Sequence, residues 1–418
     1  MSGLYNHVMR AVLAALLLFA FAASAQQSTF DLHGYVAGRA VNATGPKSWL
    51  EGGWGRFEAT GNRDDFMATA HIGADWKPSK YFDLHAAGVA RREPQEFGGE
   101  AAGLVEAYAD LKYPMGLSEL QLRAGMFFLP SSRENIDPLW LSPYTINYSA
   151  LNTWIGEEVR PIGVDLQYRH VTDAGHFMTF GATAFEGNDT MGTLVAWRGW
   201  SIGDRLSVYN ETLPLPPLAS LADDGPFFRQ RDDGTTPFRD DLDGRVGYGG
   251  RFRYSVPGRG NVQYLYVDNR GDRAVYPAGT LSGEYSWKTR FHLVSAELGD
   301  PDKLVLAAEY MRGRTDMGLL IFPNYVEANF HAGYVMVSHK RGRNRFTARY
   351  EVFGTDDIDH TPRGEVNDES LRSWTFSYLF DLYENLRLGG EFTQITGSRA
   401  QATDPDAHTF TVEARYHF

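Results

Sequence analysis

One feature limits this chain more than any other: its amphipathic segments are written in twos and joined alternately by short turns and long loops. In "TFTVEARYHF", Phe410, Val412, Ala414, Tyr416 and Phe418 share one face, and Thr409, Thr411, Glu413, Arg415 and His417 the other. That is the period of a β-strand with one apolar and one wet face. The same alternation runs through "FMATAHIGADW", "ELQLRAGMF", "HFMTFGATAF", "VQYLYVDN", "KLVLAAEYMRG", "RFTARYEVF" and "LRSWTFSYLF". Short turns such as Lys77-Pro78-Ser79-Lys80, Tyr113-Pro114-Met115-Gly116 and Pro257-Gly258-Arg259-Gly260 close hairpins. Between the hairpins lie long connections, near 41–65, 91–103, 128–159, 187–245, 270–286, 313–328, 354–370 and 396–407. With "FDLHGYVAGR" and the final segment, the pattern predicts about sixteen strands in up-and-down order. A further hairpin within "TLVAWRGWSIGDRLSVYN" (Thr193 to Asn210) would raise the count to eighteen.

An even number of strands brings the first and last together, so the sheet closes and loses its edges. What surrounds that barrel is decided by residue type. Phe66, Ile72, Trp76, Leu120, Leu122, Met126, Trp374, Phe376 and Phe380 fall on the expected outer face. Charged residues fall on the other, and the density of charge there predicts a water-filled lumen, because each unpaired buried ion costs several kcal/mol. An apolar exterior and a polar interior also account for 14% aromatic residues together with a mean hydropathy of −0.36. The fold class expected is therefore all-β: a transmembrane antiparallel up-and-down barrel with short periplasmic turns and long outer loops.

Arg10, the apolar run Ala11 to Ala23 and the small-x-small site Ala23-Ser24-Ala25 read as a secretory signal peptide over residues 1–25. Residues 26–418 then form a single barrel domain. With no cysteine, an exported chain has no disulfide to staple it. The net charge of −12 excludes nucleic acid as a partner, and no cofactor or metal is expected.

Signal peptide, strand-and-loop alternation and the terminal "EARYHF" together resemble the Gram-negative outer-membrane porin superfamily, most nearly its phosphate-selective porin O/P group. The resemblance implies integral residence in the outer membrane, in contact with lipid and lipopolysaccharide. It implies passive diffusion of small polar solutes and a homotrimer. It also implies delivery by the barrel-assembly machinery, which reads a terminal aromatic signal, here Phe418 with Tyr416 before it.

Candidate pore-lining residues are Arg123, Arg251, Arg253, Arg290, Arg345, Arg349, Glu106 and Asp110. Arginines keep their charge in any setting and favour anionic solutes. Alternatively, they pair with Glu309, Glu351, Glu391 and Glu413 and only brace the wall. The third long connection is expected to fold inward as a constriction. Trp140, Tyr144, Tyr148 and Trp154 would anchor it, while Arg133, Glu134, Asp137, Glu157 and Glu158 face the channel. The acidic loops "RDDLDG" around Asp240 and "TDDIDH" (Thr355 to His360) read as solvated rather than as cation sites. Two other functions remain: a barrel enzyme, protease or lipid hydrolase, with a Ser, His and Asp set that includes His360, and a surface receptor or adhesin. No G-x-S-x-G or H-E-x-x-H motif occurs, so no enzymatic activity is expected.

Overall fold

The computed structural model describes residues 28–59, 61–92, 100–238, 241–274, 283–318, 325–359, 365–400 and 405–418. The expected signal peptide, Asp240 and His360 lie outside them. Sixteen strands follow one another: β1 Thr29–Ala43, β2 Arg63–Ser79, β3 Phe82–Arg92, β4 Ala102–Met115, β5 Ser118–Met126, β6 Ile162–Val171, β7 Phe177–Glu186 and β8 Gly247–Val256. The second half is β9 Gly260–Asp268, β10 Lys288–Gly299, β11 Leu304–Gly318, β12 Tyr325–Arg341, β13 Asn344–Asp357, β14 Glu369–Tyr383, β15 Leu386–Arg399 and β16 Ala407–His417. Each pairs antiparallel with its neighbours in sequence, and β1 pairs with β16 to give a closed barrel. The eighteen-strand alternative is not formed. Thr193–Trp197 is instead a short helix, and the segment after it is irregular and buried.

The seam runs from Tyr35 opposite His417 to Ala43 opposite Thr409. Below it, Gly34 and Phe418 exchange two backbone hydrogen bonds of 3.0 Å. A Cβ on Gly34 would lie 2.9 Å from the Phe418 ring and 2.4 Å from the His71 carbonyl oxygen, so only glycine lets the last aromatic lie across the seam.

Outside, Val294, Leu306, Val335, Val337, Phe346, Phe376, Phe410 and Val412 are all about half exposed, with Trp76, Tyr81, Tyr113, Tyr168, Tyr383 and Tyr416 ringing the short-turn end. Apolar surface costs about 25 cal/mol per Å² in water. A belt of it, edged at the short-turn end by an amphipathic ring, belongs against hydrocarbon.

One face assignment is reversed. Arg290 was expected to point inward, but β10 turns Phe291, Leu293, Ser295 and Glu297 into the barrel and leaves Arg290, His292 and Val294 outside. The inner wall is itself apolar at this point, so the greasy side of the strand is not its lipid side.

Candidate functional site

The lumen is occupied. Three connections fold into it through their described residues: 44–59 with 61–62, 127–161, and 187–238 with 241–246, here the first, third and fourth loops. Inside the third loop, α1 (Ala150–Glu158) is buried over its whole length and starts at Ser149, whose side chain accepts from the Asn152 N–H. Trp154 sits among Trp200, Phe291 and Phe330 at ring distances of 5.9, 5.5 and 5.3 Å. At the loop's tip Leu139 and Trp140 both have positive φ, 62° and 55°. Such strain persists only where packing enforces it, and Trp140 stacks flat on Phe128 at 4.3 Å.

Wall carboxylates grip this loop by its backbone. Glu309 accepts from the Arg133 N–H (2.5 Å) and the Asn152 amide (2.9 Å). Glu351 accepts from the Ala150 N–H (2.7 Å), at the positive end of α1. Glu391 accepts from the N–H groups of Ile146 (2.6 Å) and Asn147 (3.0 Å). At the centre Arg349, with no exposed surface, is ion-paired with Glu134 and with Glu351 (2.9 Å) and donates to the carbonyls of Asn147 and Tyr148, both at 3.0 Å.

The fourth loop was not recognised as lumenal from the sequence. Its α2 (Thr193–Trp197) places Leu194, Ala196 and Trp197 in one cluster with Trp49 and Leu50 of the first loop and with Trp287, while Trp200 packs on Trp154 and Phe330. Glu369 on β14 ties the set together. It pairs with Arg56 of the first loop and with Arg399 of β15 (3.0 Å), and it accepts from the Trp200 N–H (3.1 Å). Arg39 on β1 bridges Asp204 of the fourth loop (2.5 Å) and Glu413 of β16 (2.6 Å). The available signal was composition: Trp197, Trp200, Leu206, Leu213, Leu215, Leu221 and Phe227 are too apolar for a loop in water.

The candidate residues therefore separate into two groups. Arg251 is buried in a two-pronged pair with Asp165 (2.6 and 2.7 Å), and Arg345 is held by Ser338, the Pro301 carbonyl and the Tyr144 ring. Arg349, through Glu351, follows the bracing alternative; Arg251 braces through Asp165 rather than through one of the expected glutamates, and Arg345 has no carboxylate partner among the described residues. In the constriction set, Glu134, Glu157 and Glu158 are fully buried rather than turned to a channel, and Glu157 pairs with Arg198 (2.6 Å). The cations that pair with Glu134 and Glu157, Arg349 and Arg198, come from segments distant in sequence. Arg133 is buried too, its guanidinium on Asn261 (3.1 Å) and Gln263 (3.4 Å). Glu158 has no cation partner among the described residues. It accepts from Trp154 Nε1 (2.5 Å) and the Leu194 N–H (2.9 Å), and burial pushes its carboxyl up to about 7.

The second group lines an open cavity of about 480 Å³ at the short-turn end, bounded by Asp75, His85, Glu106, Arg123, Asp137 and Arg253 among others. Arg123 pairs with Asp110 (2.9 Å) and covers the Tyr108 ring at 4.0 Å. Glu106 accepts from the Phe128 N–H (2.8 Å). Arg253 has no hydrogen-bonded carboxylate among the described residues and lies in the field of Arg133, Arg169 and Arg251. Of the acidic loops, Asp241 and Asp243 gather with the buried Asp189, whose carboxyl is raised to about 8 by burial and by these two neighbours.

No protein-family model and no curated protein matches the chain. Solved structures do. The outer-membrane channel DcaP of Acinetobacter baumannii aligns over 94% of this chain and 97% of its own with a TM-score of 0.53 at 12% identity. OmpT of Vibrio cholerae, described as outer-membrane expressed, covers 94% and 99% with a TM-score of 0.51 at 11% identity. OmpF of Salmonella typhi, solved with daunomycin, covers 93% and 97% with a TM-score of 0.50 at 15% identity. At such identities the likeness is one of fold.

Proposed function

We propose that this chain is an integral outer-membrane channel of the porin type that conducts small polar solutes, anions somewhat better than cations, and is not an enzyme. Its lumen is closed in the conformation described by the third and fourth loops. One observation carries the reading. Beside two apolar clusters, the inserted loops are held to the wall through carboxylates and arginines, as at Glu309, Arg349, Glu369 and Glu391. Polar docking of this kind can be exchanged for water. The polar cavity at the turn side, which this reading assigns to the periplasm, is the vestibule, and the unpaired guanidinium of Arg253 supplies its bias toward anions. Lipopolysaccharide contact, homotrimeric assembly and delivery by the barrel-assembly machinery belong to the same proposal. The neighbours named above support the fold that it requires.

The test is a planar-bilayer recording of the purified barrel. Rare, discrete openings are expected in the native chain, and frequent openings of similar size once Glu134→Gln and Glu157→Gln loosen the loops. A folded barrel silent in both forms would overturn the proposal.

A further inference from the structure

At the short-turn rim, on the edge of the cavity that the third loop bounds, β1 and β2 set Asp31 directly opposite Asp75, with His33 next on the same face. Like charges facing each other across a strand pair are destabilising. Here neither is bridged by Lys or Arg among the described residues; histidines are their partners. His33 Nδ1 lies 3.5 Å from an Asp31 oxygen and 3.6 Å from an Asp75 oxygen, beyond hydrogen-bonding reach. That nitrogen is shielded from solvent and has no hydrogen-bond partner, yet it is aimed between two carboxylates. The three ligand atoms all lie within 4.8 Å of one another.

The spacing has a simple chemical meaning. Donors bound at about 2.0–2.1 Å around a tetrahedral ion stand roughly 3.3 Å apart. We infer that Asp31, His33 and Asp75 form a binding site for one divalent transition-metal ion of the Zn²⁺ class.

Two further features prepare the site. The second oxygen of Asp75 accepts from His85 Nδ1 at 2.7 Å, and the His85 ring, nine-tenths buried, stacks on Tyr108 at 4.7 Å. This fixes the carboxylate as outer-shell partners fix metal ligands elsewhere. On the other side, a Cβ at Gly73 would fall 2.7 Å from both His33 Nε2 and Leu139 Cδ2, so glycine there lets the imidazole lie between the wall and the third loop. Two carboxylates with a neutral imidazole balance a 2+ ion. The nitrogen donor selects against Ca²⁺ and Mg²⁺, which take oxygen. Three protein donors leave a position for water or a passing solute on the cavity side.

The proposal is independent of channel activity and is tested by binding alone. Calorimetric titration of the tag-free folded barrel in detergent with Zn²⁺ should show one saturable site per chain, undisturbed by excess Mg²⁺ or Ca²⁺. His33→Ala and Asp75→Asn should each weaken it about tenfold or more, as His292→Ala on the outer face does not. Asp31 is 72% exposed, so Asp31→Asn leaves folding untouched and should show the same loss. Co²⁺ should give visible bands in the native chain that vanish in the His33 variant. No saturable Zn²⁺ uptake, or affinity unchanged in both Asp31→Asn and His33→Ala, would overturn the inference.

Discussion

Replacing Arg349 by methionine should release the third loop. The guanidinium is fully buried and faces Glu134 and Glu351, with two loop carbonyls completing its donors. Each charge pair is worth about 4 kcal/mol at 4 Å and an effective dielectric constant near 20. Most of that gross attraction offsets the desolvation of the ions. What removal exposes is the imbalance: two buried carboxylates without a cation, a loss of about 3–5 kcal/mol. Glu134 belongs to the loop and Glu351 to the wall, so the loss falls on docking and little of it on the barrel's own ladder of hydrogen bonds. At 1.36 kcal/mol per decade, 3 kcal/mol shifts the docked-to-released ratio by roughly two orders of magnitude. Single-channel open probability should rise steeply, while the urea midpoint of the barrel in vesicles moves modestly. Arg349→Met combined with Glu134→Gln should be milder than the sum of the two, since the second change removes a charge stranded by the first. If open probability matches the native chain and the two changes add, Arg349 does not hold the loop.

Three other outcomes are expected. Burial raises the Glu158 carboxyl to about 7, so its ionisation weakens the packed state. This contribution is complete below pH 4.5 and is lost as the pH rises through 7, by about 3 kcal/mol in all. Channel opening should increase over that window, and Glu158→Gln should flatten the pH dependence; an unaltered profile would exclude this residue. Arg253→Gln should move the reversal potential in a salt gradient toward cations, while the double change Arg251→Gln with Asp165→Asn, which removes a mutually neutralised pair, should move it less. Equal shifts would contradict the vestibule assignment. Deleting Phe418 removes both hydrogen bonds to Gly34 and should lower the amount of assembled barrel in the outer membrane without blocking export, as fractionation and heat-modifiable mobility would report.

The strands were legible because a two-residue period is a local property. β16 is read from its own residues, and the count of sixteen from hairpins of the same kind, with the eighteen-strand alternative confined to Thr193 to Asn210. β10 shows where that logic ends: alternation separates two faces without saying which meets lipid, and Phe291 and Leu293 turn inward because Trp154 waits there. The third loop was expected inside because of its position in a porin-like chain, with its aromatic residues as anchors. Density of inward charge was taken to require water. Instead Glu369 meets Arg56 from a loop more than 300 residues earlier, and Arg349 meets Glu134 across 215 positions. Pairings at such separation leave no trace in spacing. The rim histidines escaped notice for the same reason, since His33, Asp75 and His85 converge only once β1, β2 and β3 are in register.

The seam between β1 and β16 also dictates a sequence of events. Arg39 and Glu413, which meet across it, are 374 residues apart. Loop-closure entropy grows only logarithmically with such a span, yet no seam contact can form until the last strand has arrived. By then the third and fourth loops, with several bulky indoles, must already lie on the concave side of the curling sheet, or else enter later through the mouth. Closure therefore divides the folding routes in two: either the indoles of these loops are in place before the two ends of the chain meet, or each has to pass through the mouth of a finished barrel.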